Sequence, residues 1–418
     1  MSLPPPHDRS LTYDFWKFWL GQAISSLGDS FSGFVLPLLV YNLTGSAINL
    51  AISSAAYMLP YLLFGLFIGA WADRLDRKRL MIFVDVARAA ILATIPLLAT
   101  FNLLTVWWIY AVLFLVSTLG IFFDSAQFAA IPSLVQKQDD LVAANGRIEA
   151  SYSAARIIGP LLAGVLVAFI PIYDLIFIDA ASFLLSAVSL MLIARSFNVA
   201  KERPRTSVRQ DVGEGLKYVL SHPVLRNISF MMAIVNFVTA SLSAQRILFA
   251  KEQLQATDAQ LGLIYSANSL GVILLSLLAG RLRKRWPFSK VALGALMIQG
   301  ILAVALASTS YFWAALPIFA LMSGVGILFN INTGSLRQAI APNHMLGRVR
   351  SIAGVLAWSA IPLGALLGGW IIEGTGNVAW VFGGIGLLQI AIPLAFALTP
   401  LGHAEDYLPK KEEPAEAA

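Results

Sequence analysis

The chain has 418 residues, of which 58% are hydrophobic and only 12% are charged, whereas soluble domains have about 45–50% apolar and about 25% charged residues. The surplus of apolar side chains must face lipid, and because a spanning segment has to satisfy its own backbone hydrogen bonds, the composition indicates an all-α membrane protein. The lack of cysteine excludes disulfides and thiolate metal sites. The net charge is +6, and the basic residues lie in short interhelical loops, which is a pattern of membrane topology rather than of nucleic-acid binding.

The apolar runs predict the membrane topology. A spanning helix needs about 20 predominantly apolar residues, and twelve runs meet this length. They lie at about 14–41, 47–71, 80–102, 106–132, 142–170, 174–195, 224–250, 259–281, 288–308, 311–338, 347–372 and 378–399. Lys and Arg concentrate in every second loop, and the positive-inside rule therefore places both termini in the cytoplasm. We expect a multi-pass protein of the cell membrane (inner or plasma membrane).

A polar interruption at 196–223 divides the chain into a six-helix half, 1–195, and a second six-helix half, 224–400. Within the interruption, 208–220 has the pattern of an amphipathic cytoplasmic helix, which we interpret as a linker helix on the membrane face. The tail 401–418 is polar and is predicted to be disordered. Each half has a basic loop after its second span and a Gly-Arg pair before its fifth, and duplicated halves with a site between them are typical of transporters.

A cluster of charge between the second and third spans carries a recognisable motif. It resembles the major facilitator superfamily signature G-x-x-x-D-R-x-G-R-R/K, here formed by Gly69, Asp73, Arg74, Arg77 and Lys78. Asp76 replaces the usual loop glycine. With the Asp85–Ala89 and Met345–Val349 stretches, the chain is similar to the branch that holds the enterobactin exporter and the macrolide efflux proteins. The resemblance covers essentially the whole chain and implies a twelve-helix major facilitator fold.

The same resemblance implies a gating role for this loop, which would lock the outward-open state by linking the two halves on the cytoplasmic side. Asp73, Arg74 and Arg77 would form the latch, and Gly69 would let another helix approach closely. Simple positive-inside anchoring is the alternative.

Gly159 and Pro160 partly match the fifth-helix motif of drug–proton antiporters. Small residues allow close helix packing, and proline frees a backbone carbonyl so that the helix can bend. We therefore assign both residues to gating, with ordinary tight packing as the alternative.

Asp29 is the most informative single residue, because it lies near the middle of the first predicted span. A carboxylate at that depth is costly and is a functional-site hypothesis by default. We predict that it carries protons and couples export to a proton gradient. The alternative is a structural carboxylate hydrogen-bonded to Ser25, Ser30 or Arg156.

Two further charges lie within spans. Asp124 in the fourth span is a candidate second proton site, a cation contact or an ion-pair partner, and Arg156 in the fifth span is its natural counter-charge. We group both with Asp29 as proton-coupling residues. Asp179 in the sixth span is interpreted as pairing close to the membrane edge.

Family topology implies that the first, fourth, seventh and tenth spans line a central cavity. Its candidate substrate contacts are Phe31, Asn236, Arg246, Asn330 and Asn332. Each polar member could equally make an interhelical hydrogen bond, worth about 0.6 kcal/mol on average.

Together these features predict a secondary active transporter and not an enzyme. The cargo would be a small amphiphilic compound, a drug-like molecule or a siderophore, exported in exchange for protons by alternating access. A lipid or lysolipid translocator of the same fold is the alternative. No cofactor and no metal site are expected, and the partners would be the substrate, protons and membrane lipids around a monomer.

Overall fold

The computed structural model describes residues 11–72, 75–135, 140–197, 208–342 and 345–407. Within these ranges the chain is helical and contains no β-strand, only an isolated bridge between Leu11 and Val135. The helices are α1 (Tyr13–Thr44), α2 (Ala47–Ala72), α3 (Arg77–Thr100), α4 (Val106–Leu134), α5 (Asp140–Leu166), α6 (Ile176–Met191), α7 (Val208–Ser221), α8 (Pro223–Ala244), α9 (Arg246–Glu252), α10 (Asp258–Arg285), α11 (Phe288–Ala307), α12 (Phe312–Ile340), α13 (Leu346–Trp358), α14 (Ile361–Thr375) and α15 (Val378–Ala397).

Among the described residues, ten helical stretches are long and apolar enough to cross a membrane, and one of them, Ile352–Thr375, runs across α13 and α14. Two of the predicted spans are not among them. Helix α6 is apolar but has only 16 residues, and α5 has four charged side chains, Asp140, Arg147, Glu149 and Arg156, spread over its 27 residues. The all-α membrane class is confirmed, and the count of twelve spans stays a prediction.

The chain forms two compact units, one of Met1–Glu202 with Thr257–Ser266 and one of Arg203–Ala256 with Ala267–Ala418. In the first unit α1 packs against α5 and α6, while α3 packs against α4 and α6. Thr12 fixes the start of α1: its Oγ1 accepts from the backbone N–H of Phe15 at 3.0 Å and donates to the carbonyl of Leu134 at 2.6 Å.

The basic loop of the first unit ends in a helix cap. Asp76 precedes α3 with φ −66° and ψ 110°, and its side chain accepts from the backbone N–H of Arg79 at 2.9 Å. An N-cap favours aspartate, and this φ is negative, so glycine is not required. Asp76 thus replaces the loop glycine of the family signature without strain.

Arg77, the first residue of α3, is 6% exposed, and its Nη1 donates to the carbonyls of Ala129 at 3.3 Å and Phe197 at 3.0 Å. These bonds connect α3 to the end of α4 and to the segment after α6. Arg77 is therefore anchored inside the first unit.

In the second unit the amphipathic helix α7 packs on α13. Val219 belongs to a buried cluster with Met345, Val349 and Ile352, and Glu214 accepts from the Arg348 guanidinium at 2.5 Å. Part of the apolar side of this helix is therefore covered by protein, and its location on the membrane face stays a prediction.

A proline interrupts the predicted span 347–372. Helix α13 ends at Trp358, and α14 begins at Ile361 with Pro362 in its first turn. Proline cannot donate a backbone hydrogen bond, so the chain restarts its helix here. Close to this break, the Asn236 side chain donates to the carbonyl of Ala357 at 2.8 Å.

The start of the predicted disordered tail is ordered. Pro400–Tyr407 forms a 3-10 helix that contacts α8, α11 and α15. Leu401 and Ala404 are fully buried, and the Glu405 carboxylate accepts from the backbone N–H of Phe288 at the start of α11. These apolar contacts order the segment through Tyr407; the rest of the predicted tail, 408–418, lies outside the described residues.

Candidate functional site

A cavity of about 730 Å³ opens within the first unit. Five helices, α1 to α5, supply its walls. Its lining includes three acidic side chains and two arginines, together with five aromatic rings and several amides and hydroxyls: Gln22, Ser25, Ser26, Asp29, Ser30, Tyr57, Tyr61, Arg88, Ser117, Phe123, Asp124, Gln127, Phe128, Asn145, Glu149, Tyr152 and Arg156. All three residues predicted to couple protons line this one cavity.

The central contact of the cavity is an ion pair between α1 and α3. Arg88 Nη2 donates to Asp29 Oδ1 at 2.9 Å. The Asp29 side chain is 45% exposed to the cavity, whereas that of Arg88 is 11% exposed and lies over the Phe183 ring, 4.1 Å from its centre. Arg156, which the sequence offered as a partner of Asp29, also lines this cavity. Arg88 was not among the predicted site residues, although its charge within the third apolar run could have indicated it.

Asp179 lies behind this pair, in the interface of α1 and α6. It is 1% exposed and accepts hydrogen bonds from the hydroxyls of Ser32 and Ser182. A β-carbon at Gly28 would overlap the Ser182 hydroxyl, so glycine at this position lets the two helices approach closely. Asp179 is thus paired with two serine hydroxyls in a buried helix interface, and its closeness to the membrane edge stays a prediction.

Asp124 on α4 and Glu149 on α5 present exposed side chains at the cavity wall. The charged neighbours of Asp124 are Arg88 and Asp29, and Arg156 contributes a second positive charge to the same wall. The predicted members of the proton-coupling group thus share a cavity, in which Arg88 is the arginine that engages Asp29.

Gly159 and Pro160 serve close packing of α5. A β-carbon at Gly159 would lie 2.5 Å from Ser30 Cβ on α1, and one at Gly262 would lie 2.5 Å from the Pro160 carbonyl oxygen. Gly262 belongs to the Thr257–Ser266 part of the first unit. Both predicted gating residues therefore lie at helix contacts within this unit.

Of the other predicted gating residues, Gly69 is within α2 and Arg77 begins α3, whereas Asp73 and Arg74 lie outside the described residues.

The predicted substrate contacts occupy varied environments. Phe31 is 3% exposed and Asn332 is fully buried, with the Asn332 amide bonded to a carbonyl of its own helix at 2.7 Å. Asn236 is partly buried and bonded to α13, Arg246 begins α9, and Asn330 is exposed. Phe31 is not part of the lining of the first-unit cavity.

Comparison with known families decides the class of the protein. The profile of the MFS_3 family, described as transmembrane secretion effector, matches residues 11–417. The chain belongs to this family. The resemblance to the major facilitator superfamily (MFS) seen in the sequence motifs is thereby confirmed.

Relatives of this MFS_3 protein include named efflux pumps. It is 28% identical over 401 residues to the multidrug efflux pump Tap of Mycolicibacterium fortuitum, covering 92% of this chain and 93% of the relative. It is 24% identical over 388 residues to macrolide efflux protein A of Streptococcus pyogenes, covering 90% and 94%. The chain is thus an efflux transporter of the MFS type in the cell membrane and not an enzyme, and these relatives do not favour the lipid-translocator alternative.

Solved structures agree on the fold. A bacterial homologue of the human lysosomal transporter Spinster has a TM-score of 0.73 at 14% identity and covers 98% of this chain and 100% of its own. The nucleoside transporter NupG has a TM-score of 0.76 at 12% identity and covers 94% and 99%. At these identities the likeness establishes the MFS fold and nothing about cargo.

Proposed function

We propose that this MFS_3 transporter exports cationic amphiphiles in exchange for protons by alternating access. The observation that carries the proposal is the Asp29–Arg88 pair, 2.9 Å long and open to a polar cavity. Ionisable side chains within membrane segments are expensive and mark ion or substrate pathways. A proton on Asp29 would remove its charge and with it the attraction for Arg88. Proton binding and separation of the pair are therefore linked.

The lining of the cavity supports a cationic cargo. Three acidic groups, Asp29, Asp124 and Glu149, face two arginines, which leaves one negative charge in excess when all five are ionised. Aromatic rings stand beside these carboxylates, and Tyr57 and Phe128 are 48% and 80% exposed. A ring face contributes about 0.5–2 kcal/mol to binding of a cation. The efflux relatives, named for multidrug and macrolide export, support a small-molecule cargo of this kind.

Uptake into proteoliposomes tests the proposal. Ethidium, a permanent aromatic cation, is expected to accumulate when a pH gradient is imposed and not when the gradient is collapsed. Asp29→Asn should abolish the dependence on the gradient, while Asp174→Asn, in the loop before α6, should retain it. Equal gradient-driven uptake by wild type and Asp29→Asn would show that Asp29 is not the proton carrier.

The cation preference has its own test. Ethidium should stabilise the purified protein against heat more than chloramphenicol, a neutral amphiphile, at equal concentration. Asp124→Asn should reduce the ethidium effect selectively, because it removes a carboxylate from the cavity wall. An equal shift by both compounds would exclude a charge-selective site.

The latch is part of the same proposal. Asp73, Arg74 and Arg77, with Gly69 on α2, would control closure at the cytoplasmic side, and Gly159 and Pro160 would permit the movement of α5. Asp73→Asn is expected to reduce transport while membrane insertion stays normal. Undiminished transport would remove the latch from the cycle.

A further inference from the structure

Asp85 on α3 has a carboxyl group that plays no part in the proton-coupled export proposed above. Its side chain is fully buried, and among the described residues neither of its oxygens makes a hydrogen bond of normal geometry, although the Ser186 hydroxyl lies nearby. A buried ionised group without a donor is strongly unfavourable, whereas buried polar groups are nearly always paired. Asp85 therefore either remains neutral or gains a partner in another state of the protein.

Arg88 has a hydrogen-bond donor that lacks an acceptor. Its Nη2 is bonded to Asp29, but its Nε is buried and has no acceptor among the described residues. Residues three apart on a helix lie on the same face. An unused donor on Arg88 and two unused acceptors on Asp85 thus stand one turn apart on α3.

The surroundings single out Asp85 as the alternative partner. The acidic groups that face the Arg88 guanidinium are Asp29 on α1, Asp124 on α4, Asp179 on α6 and Asp85 on its own helix. Asp179 already accepts from two serine hydroxyls, and Asp124 is exposed at the cavity wall. Among these four groups, Asp85 is the buried one whose carboxyl oxygens make no hydrogen bond of normal geometry.

Ser186 on α6 would help to receive a charge on Asp85. Its hydroxyl lies close to the Asp85 carboxyl group as a potential hydrogen-bond donor, and its oxygen accepts from Gln22 Nε2 at 3.0 Å. The hydroxyl hydrogen of Ser186 is therefore available to donate to Asp85. Gln22 also lines the cavity, so this polar contact connects Asp85 with the cavity wall.

We propose that Asp85 is a second proton-binding residue that shares Arg88 with Asp29. In one state Asp29 holds the arginine and Asp85 holds a proton. In the other state Asp29 has taken a proton from the cavity, and the ionised Asp85 accepts from Arg88 Nε and from Ser186. The proton that leaves Asp85 passes to water in the cavity, so each state binds one proton. This inference rests on the proposed proton exchange and names a second proton-binding group that takes part in it.

Infrared difference spectroscopy of the purified full-length protein tests the inference without any substrate. The wild type at neutral pH should show a C=O stretch from a protonated, buried carboxyl group that is missing in Asp85→Asn. The same band should be lost in Asp29→Asn, because Arg88 then turns to Asp85 and keeps it ionised. Asp174→Asn should leave the band unchanged.

Each outcome decides one part of the proposal. A band that survives in Asp85→Asn shows that Asp85 holds no proton, and a band that survives in Asp29→Asn shows that the two residues do not share Arg88. Asp85→Ser replaces Asp85→Asn if the latter fails to elute as a single species. Because these spectra do not depend on transport, absence of gradient-driven ethidium uptake would refute the proposed function alone.

Discussion

Removing the positive charge of Arg88 should destabilise the protein more than removing the negative charge of Asp29. Breaking a buried ion pair by deleting one partner costs about 3–5 kcal/mol. Here the Asp29 side chain is 45% exposed to the cavity and Arg88 11%, so water in the cavity offsets part of this energy, and we expect about 1–3 kcal/mol for Arg88→Gln. Asp29→Asn should cost less, because Arg88 retains Asp85 and Asp179 as acidic neighbours.

A double-mutant cycle measures the pair directly. The free energy of unfolding is determined by denaturant titration in detergent for Asp29→Asn, Arg88→Gln and the double variant. We expect the double variant to be less destabilised than the sum of the single variants, because it leaves no uncompensated charge in the pair. Effects that add to within about 0.5 kcal/mol would mean that the two side chains do not interact and would refute the reasoning built on their contact.

Three further predictions concern packing and pH. Gly28→Ala should destabilise the protein by about 1–3 kcal/mol through overpacking of α1 against α6, whereas Gly33→Ala, which faces open space, should change unfolding by less than about 0.5 kcal/mol. Partial burial lowers the pKa of His222, whose ring caps α8. The contribution of His222 to stability is therefore present above the unfolded-state pKa of about 6.5 and is lost as pH falls through the lower folded-state pKa. Thermal melts of His222→Asn, which keeps a capping side chain, should not show this loss. Leu401→Ala should cost about 2–5 kcal/mol because the side chain is fully buried, whereas Leu398→Ala, 90% exposed, should melt like the wild type.

Features that depend on composition and on local pattern were predictable. The apolar runs fix where helices form, since each spanning segment must bond its own backbone, and a charge in such a run, as at Asp29, is expensive enough to mark a site. The motif around Gly69 and Asp73 identified the superfamily because its residues are close together in the sequence, so that it can be recognised without knowledge of the fold.

Partnerships between distant residues were not predictable in this way. Asp29 pairs with Arg88 of α3, a residue that lies 59 positions away in the sequence. The position of Asp179 depends on how α6 rotates against α1, and its sequence neighbourhood carries no sign of that rotation.

By itself, the sequence determined the membrane class, the helices and the family, because these follow from the composition and periodicity of neighbouring residues. Only the tertiary structure decided which charges meet in the cavity, that α7 packs on α13, and that Pro400–Tyr407 is ordered. Each of these depends on contacts between residues far apart in the chain, and the energy of a buried charge or an apolar face is set by what packs against it.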